Sequence, residues 1–387
     1  MKKSKKQILI TPDRKKQVLM FVLDECNPDM RVLKEAETLA THGFSVTIVA
    51  VRYTKMLAKR EIYAKNVLII REDIIKKSLI RYFHFWLKCW IKYRQSKPGW
   101  IHCHDLNALP PGFMIKRKGT KLVYDSHDLF PHMMSSVFGK KGYYGFCALE
   151  KFMYKRVDRV ITANDGFARI LEQNYGKKAV ILLNMPQKES FSSITEFLKS
   201  SEKKQKRPVI TYMGIIVYGR GYEELVETAV ILKRYKMDVE FLIIGTGPLK
   251  KKIERMVTNK GVSQMFRFTG KLPYLEAMKA IALADIGLIL FQPDPNNWLG
   301  VPNKLFEYIA CGVPVLASNF PFLREFIKRE GIGTVVNPLK PEMIAKSLLF
   351  MMKRPEDLEK MRKNAIKAFN ERYNWQHAIP RILSVYS

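Results

Sequence analysis

Apolar residues in this chain fall into short unbroken runs separated by helix-period segments, and that alternation sets the fold class before any residue chemistry is considered. QVLMFVLDE (17–25) and SVTIVAV (45–51) read as buried strands. Between them RVLKEAETLATHGF (31–44) reads as a helix ending at Gly43. Strand, helix and strand in that order predict a β–α–β unit and a parallel sheet. WIHCHDLNALPPG (100–112), KLVYDSHDLFP (121–131), RVDRVITAND (156–165) and AVILLNMP (179–186) continue the series, with Asn164–Asp165 placed to cap a helix. Residues 187–207 are polar, Ser/Lys-rich and without a strong period, which predicts an interdomain connection. A second series follows: PVITYMG (208–214), DVEFLIIGTGPL (238–249), QMFRFTGKLP (264–273), ADIGLILFQPD (284–294) and PNKLFEYIACGVPVLAS (302–318). Four consecutive strands thus bring glycines, cations or both to one edge of one sheet, the edge where open parallel sheets bind ligands.

Composition adds one strong constraint. The 387 residues suffice for two cores, and 47% hydrophobic with 27% charged residues argues against long disorder. The 67 basic against 36 acidic residues give +31, which implies attraction to a polyanion: nucleic acid, an anionic bilayer or phosphorylated substrates. The five cysteines (Cys26, Cys89, Cys103, Cys147, Cys311) are scattered, which predicts reduced, mostly buried thiols and suits the cytosol. The basic start lacks a leader's apolar run, and no segment reaches the ~18 apolar residues of a membrane span.

Residues 74–104 hold no Asp or Glu, seven Lys/Arg and seven aromatic residues. On a helix of about 100° per residue, Leu79, Phe83, Trp86, Trp90 and Tyr93 share one arc, with Lys77, Arg81, Lys88 and Lys92 opposite. A basic face beside an aromatic one suits a helix lying in an anionic membrane surface. The alternative is a helix that buries its aromatics in the core and solvates its basic face. Single-stranded nucleic acid also uses aromatics interleaved with cations, but no motif of its readers is present and no nucleic acid is expected.

The polar candidates sit in the turns. The turn after the first strand has no Gly-x-Gly-x-x-Gly and offers Asp29 and Arg31 as phosphate candidates, although Asp29 also suits a helix cap. Two His–Asp pairs, His104–Asp105 and His127–Asp128, end neighbouring strands and can serve a phosphate or sugar hydroxyl; a lone strand-end His is often structural. Arg220 lies between two glycines before a helix, where backbone N–H groups and a guanidinium can meet an anion. Pro302 suits a helix's first turn, which puts Asn303 and Lys304 at its positive end and Glu307 one turn on. These can hold a diphosphate and a ribose, or form an ordinary amphipathic helix.

Taken in order, YMG-(5)-RG, LIIGTGP, FRFTGKLP, ADIGLIL and PNKLFEYIACGVPVLAS resemble the nucleotide-binding half of GT-B glycosyltransferases of family 4, the group 1 sugar transferases, in their PNK-type subset. DMRVLKEAETLATHGFSVTIVAV, IHCHD and VYDSHDLFP are similar to the first half of that family. The resemblance implies an α/β fold of two Rossmann-like, doubly wound parallel-sheet domains facing across a cleft. It places an acceptor-binding domain at 1–190 carrying a basic aromatic helix at 74–97, and a linker at 187–207. A nucleotide-sugar domain follows at 208–365, and a helix at 366–387 returns to the first domain.

The family's roles, carried over, put Glu307 on the ribose hydroxyls, Arg220 on the diphosphate, and Gly270, Lys271 and Leu272 beside the base. Gly214, Gly245, Pro302, Asn303, Lys304 and Leu305 complete the donor set. His127 falls near the transferred sugar, with Asp128 beside it, and with Arg220 and Lys304 they form the expected catalytic group. Asp29, Arg31, His104 and Asp105 remain for the acceptor or its phosphate. Three positions depart from the family: Leu299 stands where the first Glu of E-x7-E belongs, Ile215 replaces an Arg, and the Gly-rich first-domain turn is absent. The implied activity is that of a retaining hexosyltransferase (EC 2.4). Its co-substrate is a nucleotide-diphosphate sugar, with no further cofactor and, in the absence of an Asp-x-Asp pair, no metal. The expected acceptor is lipid-linked or a glycan, and the enzyme works in the cytoplasm on the inner membrane face. A soluble acceptor, or a non-catalytic nucleotide-sugar-binding subunit, is the alternative.

Overall fold

The computed structural model describes residues 13–387 except 28, 77–78, 190, 192–193, 195–196 and 198–206, so Lys77 and much of the expected linker lie outside the described residues. The chain forms two compact units, Met1–Leu183 with Ile379–Ser387, and Asn184–Ala378.

In the first unit β1 (Gln17–Phe21), α1 (Met30–Thr41) and β2 (Ser45–Arg52) form the expected β–α–β unit. β3 (Arg60–Ala64) and β4 (Val67–Asp73) follow, then α2 (Ile80–Tyr93), β5 (Trp100–His104), α3 (Leu109–Ile115) and β6 (Lys121–Ser126). α4 (Phe130–Tyr154), β7 (Arg159–Thr162), α5 (Asp165–Tyr175) and β8 (Val180–Ile181) close the series. The sheet order is β3-β4-β2-β1-β5-β6-β7-β8, parallel except for the β3/β4 pair. Val18, Leu19, Met20 and Phe21 of β1 are all buried, as a strand covered on both faces requires. Each such side chain contributes about 1.5–3 kcal/mol on burial.

The second unit holds β9 (Val209–Met213), α6 (Tyr222–Arg234), β10 (Glu240–Ile244), α7 (Lys250–Asn259), β11 (Phe266–Gly270), α8 (Tyr274–Ala282) and β12 (Ile286–Ile289). It continues with α9 (Pro295–Leu299), α10 (Asn303–Ala310), β13 (Val315–Ser318), α11 (Pro321–Glu330), β14 (Gly333–Val336), α12 (Pro341–Met352) and α13 (Pro355–Glu371). Its sheet runs β11-β10-β9-β12-β13-β14, all parallel. Strand order reverses between β9 and β12 here, and between β1 and β5 in the first unit. Such switch points open a crevice at the carboxyl ends of the strands.

Three boundaries differ from the expected ones. The first unit's main segment ends at Leu183 and not at 190, and the second begins at Asn184. Residues 366–378 stay with the second unit, because α13 packs on α10 and Arg362 donates to the Gly312 carbonyl at 3.1 Å. Only Ile379–Ser387, with α14 (Ile379–Val385), belongs to the first. The basic helix is shorter than 74–97 and turned differently. Its buried stripe is Tyr82, Phe85, Cys89 and Tyr93, so of the expected aromatic arc Tyr93 turns inward while Leu79, Phe83 and Trp90 stay outward. Trp86 donates its indole N–H to the Asn107 carbonyl at 2.7 Å. Lys92 pairs with the Glu72 carboxylate, and Lys88 donates to the Asp73 carbonyl. The face left to solvent is apolar: Ile80, Phe83, Leu87 and Ile91 are each more than half exposed, with Trp90 beside them.

Candidate functional site

In the second unit the switch point is built by close backbone approach. Gly245 has φ 142°, and a Cβ there would stand 2.0 Å from the Gly214 carbonyl oxygen. A Cβ on Gly214 would meet Lys304 Nζ at 3.0 Å. These turns exclude side chains so that backbone and ammonium share one small space. Helix α10 starts at Asn303, with Pro302 as its cap residue and no side chain on its free N–H groups. Tyr308 pins it to the sheet, since its hydroxyl donates to the Leu288 carbonyl at 3.2 Å and accepts from the Met213 N–H at 3.2 Å. Its ring lies where a Gly287 Cβ would be, at 2.8 Å.

Two cations converge at this edge. The Arg220 guanidinium lies 3.8 Å from the centroid of Phe291, and Lys304 Nζ lies 4.9 Å from the same ring and 4.3 Å from Tyr212. Among the described residues neither is in a salt bridge. Burial and the neighbouring Arg220 hold the Lys304 ammonium well below its usual pKa, against the pull of Glu307. Two like charges on one aromatic platform, at a bare helix N-terminus, make a receptor for an anion with several oxygens. Glu307 lies one turn along α10; burial, then this carboxylate, raises the Tyr274 phenol above its usual range. Gly270, with φ 72°, ends β11, and Lys271 is exposed beyond it. Leu272 and Leu305 belong to the same strand-end turn and helix as their expected partners, Leu305 being buried in the core. Leu299 ends α9, so no carboxylate stands at that helix end.

In the first unit the site is a buried polar cluster at the ends of β5 and β6. His102 and His104 lie on one face of β5, and Asp125 of β6 pairs in register with His104. Arg31 of α1 comes down on them. Its guanidinium donates to both Asp125 oxygens, at 2.7 and 3.2 Å, and to the Leu182 carbonyl, at 2.9 Å. It also lies 3.1 Å from Glu35. Asp105 sits in the left-handed region at φ 64°, and its carboxylate accepts from the His127 N–H at 2.8 Å. The His127 ring faces Asp125 at 3.2 Å and Asp105 at 3.7 Å, and alone of the three histidines it is partly open to solvent.

The cluster is charge-balanced. Burial would lower His127, but the carboxylates of Asp105 and Asp125 overcome it and push the imidazole up to about 9. Burial raises Asp105 to about 6. Burial and the repulsion of Asp125 raise Glu35 well above the carboxylate range, and burial keeps His102 and His104 below the usual histidine value. Asp125 is held well below its usual value, the attraction of Arg31 and His127 outweighing burial. At neutral pH two cations, Arg31 and His127, therefore face two anions, Asp105 and Asp125. His127 is a donor there and not a free base. Because its folded pKa lies above the unfolded ~6.5, its contribution to stability is complete below that pH and is lost as pH rises through about 9. Denaturant melts at pH 6 and pH 10 should show it: wild type exceeds His127→Gln at pH 6, and the gap closes at pH 10.

Sequence-expected residues divide accordingly. Asp29 caps α1, accepting from the Arg31 and Val32 N–H groups. Arg31 is bonded to Asp125 and pairs with Glu35, and His104 is buried. Asp128 is exposed, and its carbonyl accepts from Ser126 Oγ at 2.9 Å. Reading the sequence by turns missed Glu35, His102, Asp125, Tyr308 and Phe291. The signal for two of them was present: His102/His104 and Asp125/His127 are polar pairs at period two in otherwise apolar strands.

Two family profiles match this chain, one in each unit. The family profile described as "Glycosyl transferases group 1" matches residues 193–368, and that of "Glycosyltransferase Family 4" matches residues 30–184. A chitobiosyldiphosphodolichol beta-mannosyltransferase of Candida glabrata is 22% identical over 95% of this chain and 90% of that protein. An alpha-D-kanosaminyltransferase of Streptomyces kanamyceticus is 24% identical, but the match spans 46% of this chain and about half, 45%, of that relative. Sucrose-phosphate synthase from Thermosynechococcus elongatus superposes with TM-score 0.80 at 16% identity, covering 96% of this chain and 98% of that one. Anabaena HepE in complex with UDP-glucose superposes with TM-score 0.73 at 14% identity, covering 95% and 98%.

Proposed function

This chain belongs to glycosyltransferase family 4, and on that footing we propose that it moves a sugar, with retention of configuration, from a nucleotide-diphosphate sugar to an acceptor at a membrane surface, lipid-linked or a growing glycan. The observation that carries the donor half is the Arg220–Lys304 couple on Phe291 at the switch point of the second unit, in no salt bridge among the described residues. In sugar transfer the bond from the anomeric carbon to the diphosphate breaks, and negative charge grows on the leaving oxygen. Arg220, Lys304 and the N-terminus of α10 supply fixed positive charge for it, which lowers the barrier without reorganisation. Glu307 accepts from the ribose hydroxyls. His127, a cation at neutral pH, donates to an oxygen of the transferred sugar, and the departing phosphate takes the acceptor's proton. Metal is not required by this scheme, because the protein's own cations neutralise the diphosphate.

A panel of UDP-, GDP- and ADP-sugars, with phospholipid vesicles carrying polyprenyl-phosphate-linked acceptors, tests the reading. Release of one nucleoside diphosphate with matching glycolipid is expected. Binding without turnover with every donor and acceptor would leave a nucleotide-sugar-binding subunit instead. The relatives' names include α- and β-linked products, so the anomer is read on the product itself by NMR.

The acceptor half rests on α2. Its outward Ile80, Phe83, Leu87 and Ile91 lie at helical spacing, and Arg81 and Arg94 flank them in a chain of net charge +31. An apolar stripe within a basic surface fits the boundary of an anionic bilayer. No described helix is long and apolar enough to cross a membrane. Phe83→Glu with Leu87→Glu should cut co-sedimentation with anionic vesicles at least about tenfold, since burying each side chain is worth about 1.5–3 kcal/mol. An unchanged bound fraction would refute the assignment. The inner, cytoplasmic leaflet is the site this predicts, because nucleotide sugars and reduced cysteines belong there.

A further inference from the structure

The buried cluster of the first unit does not end at His127. It runs inward to Tyr386, on the last turn of the chain, whose hydroxyl lies 2.6 Å from Nδ1 of His102. Burial and the carboxylates of Glu35 and Asp125 push the Tyr386 phenol well up, so it keeps its proton and is the donor. His102 is neutral, so its one hydrogen sits on Nε2. That nitrogen faces Asp125 Oδ2 and Glu35 Oε2, each at 3.7 Å. The His102 ring stacks on His104 at 4.3 Å between centroids, and His104 Nδ1 lies 3.2 Å from His127 Nε2.

We propose that Tyr386 is a positioning residue for His127: by donating to His102 Nδ1 it fixes the tautomer that turns a neutral N–H toward Asp125, and so reserves Asp125 as counter-ion for Arg31 and His127. The groups that face His127 come from every side of it. Arg31 and Glu35 stand on α1, His102 and His104 on β5, and Asp125 on β6. Asp105 and Asp128 flank its turn. With the Tyr386 hydroxyl removed, His102 Nδ1 is a buried acceptor without a donor, which is costly. The ring then takes a proton from solvent and becomes a second imidazolium on Asp125, and His127 gives its own proton up.

A metal ion is the competing account, because Glu35, His102, His104 and Asp125 each bring one ligand-type atom within 4.8 Å of the others. Arg31 already fills that role, 2.7 Å from Asp125 and 3.1 Å from Glu35. The proposal rests on the sugar-contacting reading of His127 only for its effect on turnover; the effect on His127 itself is measured without substrate.

The chain has seven histidines, few enough to follow each by NMR with labelled imidazole in the full-length protein. In Tyr386→Phe the His127 midpoint is expected to fall by about half a pH unit or more, and the alkaline limb of the kcat profile with it, while KM for the donor stays within about twofold. Adding His102→Gln supplies an amide donor toward Asp125 that has no tautomer to choose, and should return the midpoint toward wild type. A midpoint that moves while His127→Gln retains full turnover supports the positioning role and removes the sugar contact. An unmoved midpoint in folded Tyr386→Phe, a midpoint not restored by His102→Gln, or a stoichiometric metal ion in the purified wild-type protein would overturn the proposal.

Discussion

Lys304→Ala is expected to lower kcat/KM by about 100- to 1000-fold, the effect of removing one fixed donor from a developing anion. The melting temperature should stay the same or rise. Both expectations follow from the same geometry. Lys304 is half-buried, its ammonium lies between Tyr212 and Phe291, and Arg220 stands over the same Phe291 ring. Without a bound anion the two cations repel, and Lys304 is held well below its usual pKa by burial and by Arg220. Removing it relieves that repulsion in the free protein and takes away charge only when a diphosphate is present. Lys304→Arg should recover little, because a planar guanidinium does not replace the compact ammonium that lies 3.0 Å from where a Gly214 Cβ would stand. Steady-state kinetics beside thermal melts check the pair of outcomes, and a variant that loses stability along with activity would contradict the role.

Asp125→Ala is expected to be the most destabilising single change in the first unit, about 3–5 kcal/mol. Asp125 is fully buried and receives two hydrogen bonds from Arg31 as well as the His127 ring. Truncating it strands a buried guanidinium whose remaining partners are the Leu182 carbonyl and a Glu35 that burial keeps from ionising. Glu35 would be forced to ionise in its place, which recovers part of the loss. Urea unfolding of the wild type, Asp125→Ala and the double variant Arg31→Met/Asp125→Ala measures this. The double variant should be more stable than Asp125→Ala alone, because the orphaned charge is gone.

The alternation of apolar runs and helical segments made the two parallel sheets legible, because strands covered on both faces read as unbroken Val/Ile/Leu runs. The β3/β4 pair was not legible: Arg60–Ala64 is short, mixed and largely exposed, and its antiparallel register comes from a turn at Asn66 with φ 65°. The donor-side residues could be read from glycine turns and one helix start. Phe291, which carries both cations, could not, since an aromatic after a strand is ordinarily core. Helix α2 misled because it is apolar on two sides. Its rotation was settled by Glu72 drawing Lys88 and Lys92 inward, a contact 16 to 20 residues away in sequence. Arg31 and the histidines were recognisable as polar candidates, but their mutual consumption depends on α1 bringing Arg31 and Glu35 to Asp125 and His102, 94 and 67 residues away in sequence. Tyr386 lies 284 residues from its partner His102, beyond any local pattern.

Calorimetric titration of the wild type and Lys304→Ala with UDP, GDP and ADP bears most directly on the claim that the second unit holds the diphosphate of a donor sugar. One nucleotide should bind the wild type at a single site, and the affinity should fall at least about tenfold in Lys304→Ala. Absence of binding by all three nucleotides, or equal affinity in both proteins, would contradict it.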